Sequence, residues 1–334
     1  MYDIFILKEQ LASPKQVAVV MHARPDGDAL GTSLALALFL REQGHSVHVI
    51  TPTEYPSFLS WLPGVDSVVI AAHHTRETLL AQIKEIDLLF CVDFSTASRL
   101  DEWAYLLKRP DVFKIIIDHH TEPENFADLL LWDPKAAASA EVLFQIFEAL
   151  EQKEKITLSV ATCLYTGLVT DTNSFKNPNT RPITHRIAAD LIEYGVDPFR
   201  VQWLIYDNKP LSRLHFFSFA ISQRLVVLPE LHVAYFVIQK DDYKRYDLKS
   251  GDTEGLVDYA LSLQGISLAA VLKEKDEMVY LSLRSVGDLP ANLIAKKYFN
   301  GGGHKNAAGG ISHLSLTETV DRFEKILKEL PFNF

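Results

Sequence analysis

The sequence predicts an α/β protein in which a mostly parallel, doubly wound sheet is followed by a second, smaller mixed α/β domain. Three observations predict it. Short apolar, β-branched runs near Val17–Met21, Val47–Ile50, Val68–Ile70, Leu88–Val92 and Lys114–Ile117 read as buried strands. Helical patterns at Leu30–Gln43, Thr75–Lys84 and Ser139–Glu151 alternate with them, as in parallel sheets covered on both faces. From Arg224 onward the runs shorten and regroup.

The later elements follow by the same criteria. Ser159–Leu168 and Pro182–Tyr194 carry helical patterns, with Gly195 as a stop before Val196-Asp197-Pro198. Val201–Leu214 is helical and mixed. Leu231–Ile238, Ile266–Leu272 and Met278–Ser285 read as strands, and Asn292–Phe299 and Leu316–Leu330 as helices. The charged run Lys273-Glu274-Lys275-Asp276-Glu277 suits a solvated hairpin turn. A first domain is expected over 1–195, a connecting helix acting as a hinge over 196–220, and a second domain over 221–334, with the cleft between domains as the default ligand site.

Composition bounds the class. The 334 residues, 48% of them hydrophobic, suffice for two ordinary cores. Cys91 and Cys163 lie in apolar runs and are expected as buried free thiols, with no disulfide framework. Met1-Tyr2-Asp3-Ile4-Phe5 lacks the basic start and apolar core of a signal peptide, and no apolar run approaches the ~20 residues of a membrane span, so a cytoplasmic protein is expected. With 33 Lys plus Arg against 43 Asp plus Glu, the net charge of −10 argues against binding long nucleic acid. A polyanionic substrate would be short and captured locally.

Ligand-capable side chains cluster beyond the apolar runs. Phe113–Ile117 leads into Asp118-His119-His120; Gln16–Met21 into His22 and then Asp26-Gly27-Asp28; Ile86–Val92 into Asp93; and Ala161–Thr170, strand-like in composition, into Asp171. In open α/β sheets ligands bind beyond the C-terminal strand ends. A single Asp after a strand is commonly a turn or N-cap residue. Four segments that deliver carboxylates and imidazoles to one edge instead describe a metal site, because packed like charges repel and raise one another's pKa. Oxygen donors suit Mg²⁺ and Mn²⁺, and the imidazoles shift the choice toward transition metals, so two Mn²⁺ ions are expected. The pair His73-His74 is expected on the surface.

These segments resemble the motifs of the DHH phosphoesterase superfamily: His22-Ala-Arg-Pro-Asp26-Gly-Asp28-Ala-Leu-Gly-Thr-Ser33, Val92-Asp93, Asp118-His119-His120 and Gly167-Leu-Val-Thr-Asp171-Thr. Gly301-Gly302-Gly303-His304, followed by Lys305-Asn306-Ala307-Ala308-Gly309, resembles the signature of the DHHA1 substrate-binding domain. The pairing looks most like the nanoRNA phosphodiesterases that also act as pAp phosphatases. Asn173 stands where a common family form has Gly.

The resemblance implies that His22, Asp26 and Asp93 bind one ion and that Asp28, Asp93, His119 and Asp171 bind the other, with Asp93 bridging. His120 would contact substrate or help protonate the leaving oxygen, and Asp118 would orient neighbouring groups. Arg284 would capture phosphate, with Arg99 a further candidate, and Gly302, Gly303 and His304 would approach the ligand. By itself the glycine cluster could also be a helix C-cap, and Arg284 an ordinary surface residue.

The implied activity is Mn²⁺-dependent trimming of short RNA or DNA oligonucleotides and dinucleotides to mononucleotides, with pAp as a second substrate. An exopolyphosphatase or pyrophosphatase, a linear-dinucleotide hydrolase and a non-catalytic nucleotide binder are the alternatives. Oligomeric state is not readable from the sequence.

Overall fold

The computed structural model describes residues 3–249, 251–275 and 277–329. The chain separates into two compact units between Asn208 and Lys209. Pro210 cannot donate a backbone hydrogen bond and disfavours helix at Lys209, so the stretch expected as a single connecting helix over 196–220 is two helices with a break.

The first unit runs α1 (Ile4–Gln10), β1 (Gln16–Met21), α2 (Gly27–Glu42), β2 (Ser46–Thr51), β3 (Val68–Ile70), α3 (Arg76–Gln82), β4 (Leu88–Val92), β5 (Phe113–Asp118), β6 (Leu129–Trp132), α4 (Ser139–Ala149), α5 (Leu158–Asp171), α6 (Pro182–Glu193) and α7 (Pro198–Gln202). Its six strands lie in the order β3-β2-β1-β4-β5-β6. All five pairings are parallel.

Alternate strand residues serve two buried layers. Val17, Val19, Met21, Phe90, Val92, Ile115 and Ile117 join the core formed with α2, α4 and α5. Ala18, Val20, Leu89, Cys91 and Ile116 join the core on the opposite face with Leu79 and Trp103. Burial on both faces explains why the strands read as unbroken apolar runs. Register sets the C-terminal ends of three strands abreast: Met21 pairs with Val92, and Val92 with Ile117. The strand order reverses between β1 and β4, where doubly wound sheets bind ligands.

The run Ala161–Thr170 is helix rather than strand: α5 packs against α2, and an alanine at Gly31 would put Cβ 2.5 Å from the Cys163 carbonyl oxygen. Its β-branched residues mimic a strand, but length and backbone packing decide for helix. Gly195, at φ +95°, follows the last turn of α6. Cys91 and Cys163 are buried free thiols, and His73 is exposed beside Glu54.

The second unit runs α8 (Leu211–Gln223), β7 (Leu225–Leu228), β8 (Val233–Ile238), α9 (Lys240–Arg245), α10 (Leu256–Leu261), β9 (Leu268–Lys275), β10 (Met278–Ser285), α11 (Ala291–Tyr298), β11 (Gly302–His304), β12 (Ala307–Ser312) and α12 (Leu316–Glu329). The order β11-β12-β10-β9-β8-β7 is mixed, with β8 and β9 parallel and the other neighbours antiparallel. Phe299 and Phe323 fill one face; Phe216, Phe236 and Leu256 fill the other. The charged run continues β9 through Lys275, and Glu277 turns at φ +61° into β10; Asp276, like Leu330 of the last expected helix, lies outside the described residues. Among the described residues no helix is long and apolar enough to cross a membrane.

Candidate metal centre

The site begins where β1 stops. His22 Nδ1 donates to the Ala23 carbonyl at 2.9 Å, which leaves Nε2 facing Asp93 Oδ2 at 3.4 Å. Asp26 caps α2, with Oδ1 accepting the N–H groups of Asp28 and Ala29 at 3.0 Å. Asp28, on the first turn of α2, is fully buried. Its Oδ2 accepts the Ser139 N–H at 2.6 Å, and its Oδ1 accepts the Ala140 N–H at 3.0 Å and the Thr32 hydroxyl at 2.9 Å. Those two amides open α4, so the carboxylate sits at a helix N-terminus.

Asp93 follows β4 in a left-handed conformation, φ +62°, and its Oδ1 accepts the Ser139 hydroxyl at 2.8 Å. His119 donates from Nδ1 to the Ala136 carbonyl at 3.1 Å. Its Nε2 is thereby aimed at Asp171 Oδ2 (3.4 Å), Asp93 Oδ1 (3.5 Å) and Asp28 Oδ2 (3.9 Å). His120 Nδ1 donates to Asp118 Oδ1 at 2.8 Å, and the Trp132 indole donates to the His120 carbonyl at 2.6 Å. Asp171 ends α5, after which Asn173, Ser174 and Phe175 take φ of +48°, +59° and +64°. Asparagine enters that region more readily than most side chains, which accounts for its standing in place of glycine.

Electrostatics divide the carboxylates. Burial, then Asp93 and Asp171, push Asp28 well above the ordinary carboxylate range. Burial raises Asp171 to about 6, against the lowering influence of His119. Burial acts on Asp93 too, yet the facing imidazoles of His119 and His22 hold it well below the usual range. Burial opposes the charged forms of Asp118 and His120, and the hydrogen bond between them overcomes it, lowering the acid and raising the imidazole.

Within the first unit three sets of donor atoms each lie within 4.8 Å of one another: His22, Asp26 and Asp93; Asp28, His119 and Asp171; Asp93, Asp118 and His120. His22 Nε2 and Asp171 Oδ2 are buried with no hydrogen-bond partner. The imidazoles of His22 and His119 both have Nδ1 committed to a backbone carbonyl, the arrangement that presents Nε2 to a cation. Orphaned donors, mutually repelling carboxylates and oriented imidazoles together fit divalent cations.

The Arg99 side chain is exposed, and its carbonyl accepts the Ala23 N–H at 2.8 Å. In the second unit, Arg284 of β10 and His304 of β11 both pair with Ala307 of β12, so the three stand abreast on one face. The neighbouring row is Ser282, Gly309 and Gly302. The glycine cluster is therefore an edge hairpin, with only its start ending a helix: Asn300 is left-handed and the Gly301 N–H returns to the Ala295 carbonyl. Gly303, at φ +135°, would place a Cβ 2.5 Å from the Ala307 carbonyl oxygen, whereas a Cβ at Gly302 meets open space.

Ser139, which contacts both Asp28 and Asp93, is absent from the sequence-based candidates. Its position at the start of a helix is legible, but nothing in the sequence links it to aspartates 111 and 46 residues away.

Comparison with known proteins follows the same division. The description "DHH family, N-terminal domain" matches residues 16–168, and "DHHA1 domain" matches residues 230–330. The chain is 29% identical over 315 residues to the bifunctional oligoribonuclease and PAP phosphatase NrnA of Bacillus subtilis, covering 92% of this chain and 91% of that protein. Its identity to the Thermus thermophilus protein of the same name is also 29%, over 94% of this chain and 89% of that one. A crystal structure described as an exopolyphosphatase-related protein from Bacteroides fragilis superposes with a TM-score of 0.91 at 32% identity, covering 98% of this chain and 95% of that chain.

Proposed function

The chain belongs to the DHH family and carries a DHHA1 domain, and from that premise we propose that it is a Mn²⁺-dependent phosphodiesterase that trims short oligoribonucleotides to mononucleotides and also dephosphorylates pAp. The observation that carries this reading is the convergence of His22, Asp26, Asp28, Asp93, His119 and Asp171 at the C-terminal edge of β1, β4 and β5. The two NrnA relatives, similar over nearly the whole chain, support the substrate class.

His22, Asp26 and Asp93 would hold one ion, and Asp28, Asp93, His119 and Asp171 the other. Asp93 suits a bridging role because Oδ2 faces His22 while Oδ1 faces His119. Bound there, two divalent cations supply a water of lowered pKa and positive charge for phosphoryl oxygens. His120, its pKa raised through its hydrogen bond to Asp118, can donate to a phosphoryl oxygen or protonate the leaving oxygen. In the second unit Arg284 and His304, with Ala307 and the glycines as a low floor between them, form a row suited to a terminal phosphate and its nucleoside.

The Bacteroides fragilis structure's description favours a second reading, hydrolysis of phosphoanhydride bonds, of which pyrophosphate is the simplest substrate. Product release from an RNA dinucleotide, an RNA 24-mer, pAp and pyrophosphate, each with Mn²⁺ and with chelator, separates the two. Fast Mn²⁺-dependent cleavage of the dinucleotide with a slow 24-mer supports the proposal. Turnover confined to pyrophosphate overturns it.

A further inference from the structure

Arg181 lies outside the proposed metal ligands and touches none of them, yet it closes the loop that holds several in place. One guanidinium nitrogen donates to Asp133 Oδ2 at 3.2 Å and to Glu141 Oε1. Glu141 is fully buried, and its second oxygen accepts the Thr184 hydroxyl at 2.5 Å. A buried carboxylate needs such a partner.

Between Asp133 and Glu141 the chain makes four hydrogen bonds to the site. Ala136 orients His119 by accepting from Nδ1 at 3.1 Å. Ser139 gives its N–H to Asp28 at 2.6 Å and its hydroxyl to Asp93 at 2.8 Å, and the Ala140 N–H adds 3.0 Å to Asp28. The near end is tied as well, through the Asp133 N–H to the Asp118 carbonyl at 3.3 Å.

We propose that Arg181 is a positioning residue whose bridge between Asp133 and Glu141 sets the geometry of Asp28, Asp93 and His119, and so the affinity of one metal ion in particular. This rests on the two-ion reading above. The ion concerned is the one assigned to Asp28, Asp93, His119 and Asp171; the other shares only Asp93 with this segment.

Two variants test it. Arg181→Met removes the bridge entirely. Asp133→Asn removes one arm, leaving Glu141 paired with Arg181, so it keeps the test available if the first variant does not fold. Mn²⁺ titration calorimetry on the full chain, with circular dichroism to verify folding, reads each equivalent separately. The wild type should bind two equivalents. The folded variants should bind one about 10- to 100-fold more weakly, the loss typical when a ligand's supporting hydrogen bond is removed, and the other within about twofold. The kcat for an RNA dinucleotide should fall while KM stays within about twofold of wild type. Equal weakening of both ions in a folded variant, or none, overturns the positioning role. A wild type that binds fewer than two equivalents overturns the two-ion reading, and the role of Arg181 falls with it.

Discussion

Alanine at Gly167 should displace Asp28, because α5 approaches α2 so closely that the added Cβ would lie 2.6 Å from Asp28 Oδ1 and 2.8 Å from Ala140 Cβ. Neither neighbour can yield cheaply. Oδ1 is held by the Ala140 N–H and the Thr32 hydroxyl, and Ala140 belongs to the first turn of α4. Glycine to alanine within a helix gains about 0.5–1 kcal/mol. Against that stand an overpacking cost of about 1–3 kcal/mol and the loss of at least one hydrogen bond to a buried carboxyl group, about 1–3 kcal/mol. The balance is a destabilisation on the order of 2–4 kcal/mol, which for a unit of this size lowers Tm by roughly 5–15 °C. Calorimetric melting in chelator measures that loss. Repeating it with Mn²⁺ should show a smaller stabilisation by metal than in wild type, since Asp28 is a proposed ligand. A variant that melts at or above the wild type in chelator and keeps its full metal-induced shift would refute the packing argument.

Three further outcomes follow from other parts of the structure. Asp171 has its pKa raised to about 6 in the fold, so its contribution is full below the unfolded value near 4 and is lost as pH rises through 6. Asp171→Asn should therefore gain stability over metal-free wild type above pH 6, by on the order of 2 kcal/mol, and the advantage should vanish by pH 4 in parallel chemical denaturation curves. Asn173→Gly should preserve both melting temperature and activity, whereas Asn173→Val, β-branched at φ +48°, should lose about 1–2 kcal/mol in a urea titration. Gly302→Ala faces open space and should leave the melting curve unchanged while raising KM for an RNA dinucleotide; Gly303→Ala, strained at φ +135° against the Ala307 carbonyl, should lower Tm.

Which parts of the protein were legible in its sequence follows from where each part gets its stability. Strands β1, β4 and β5 are apolar on both faces, so composition alone marks them, and the polar residues that end them mark the site. Their register cannot be read from composition; it emerges from pairing and puts His22, Asp93 and Asp118 side by side. Strand β6 has four residues, and β11 and β12 are built largely of glycine and alanine. Such segments carry little intrinsic strand preference and owe their form to neighbours. The run ending at Asp171 carries apolar, β-branched character that either structure tolerates, and its one glycine, Gly167, becomes informative only once α2 lies against it. Ser139, Glu141 and Arg181 escaped notice for a related reason: each acts on residues distant in sequence, through hydrogen bonds that no local pattern announces.

Asp93 is the residue on which the functional account converges, since its two oxygens face both proposed ligand sets. Cleavage of an RNA dinucleotide at saturating Mn²⁺, measured for wild type and Asp93→Asn side by side, tests that account most directly. The variant should lose at least about a thousandfold in kcat, more than 4 kcal/mol of transition-state stabilisation, with its fold intact. A folded variant that retains activity within tenfold of wild type would contradict the assignment of this cluster as the catalytic centre.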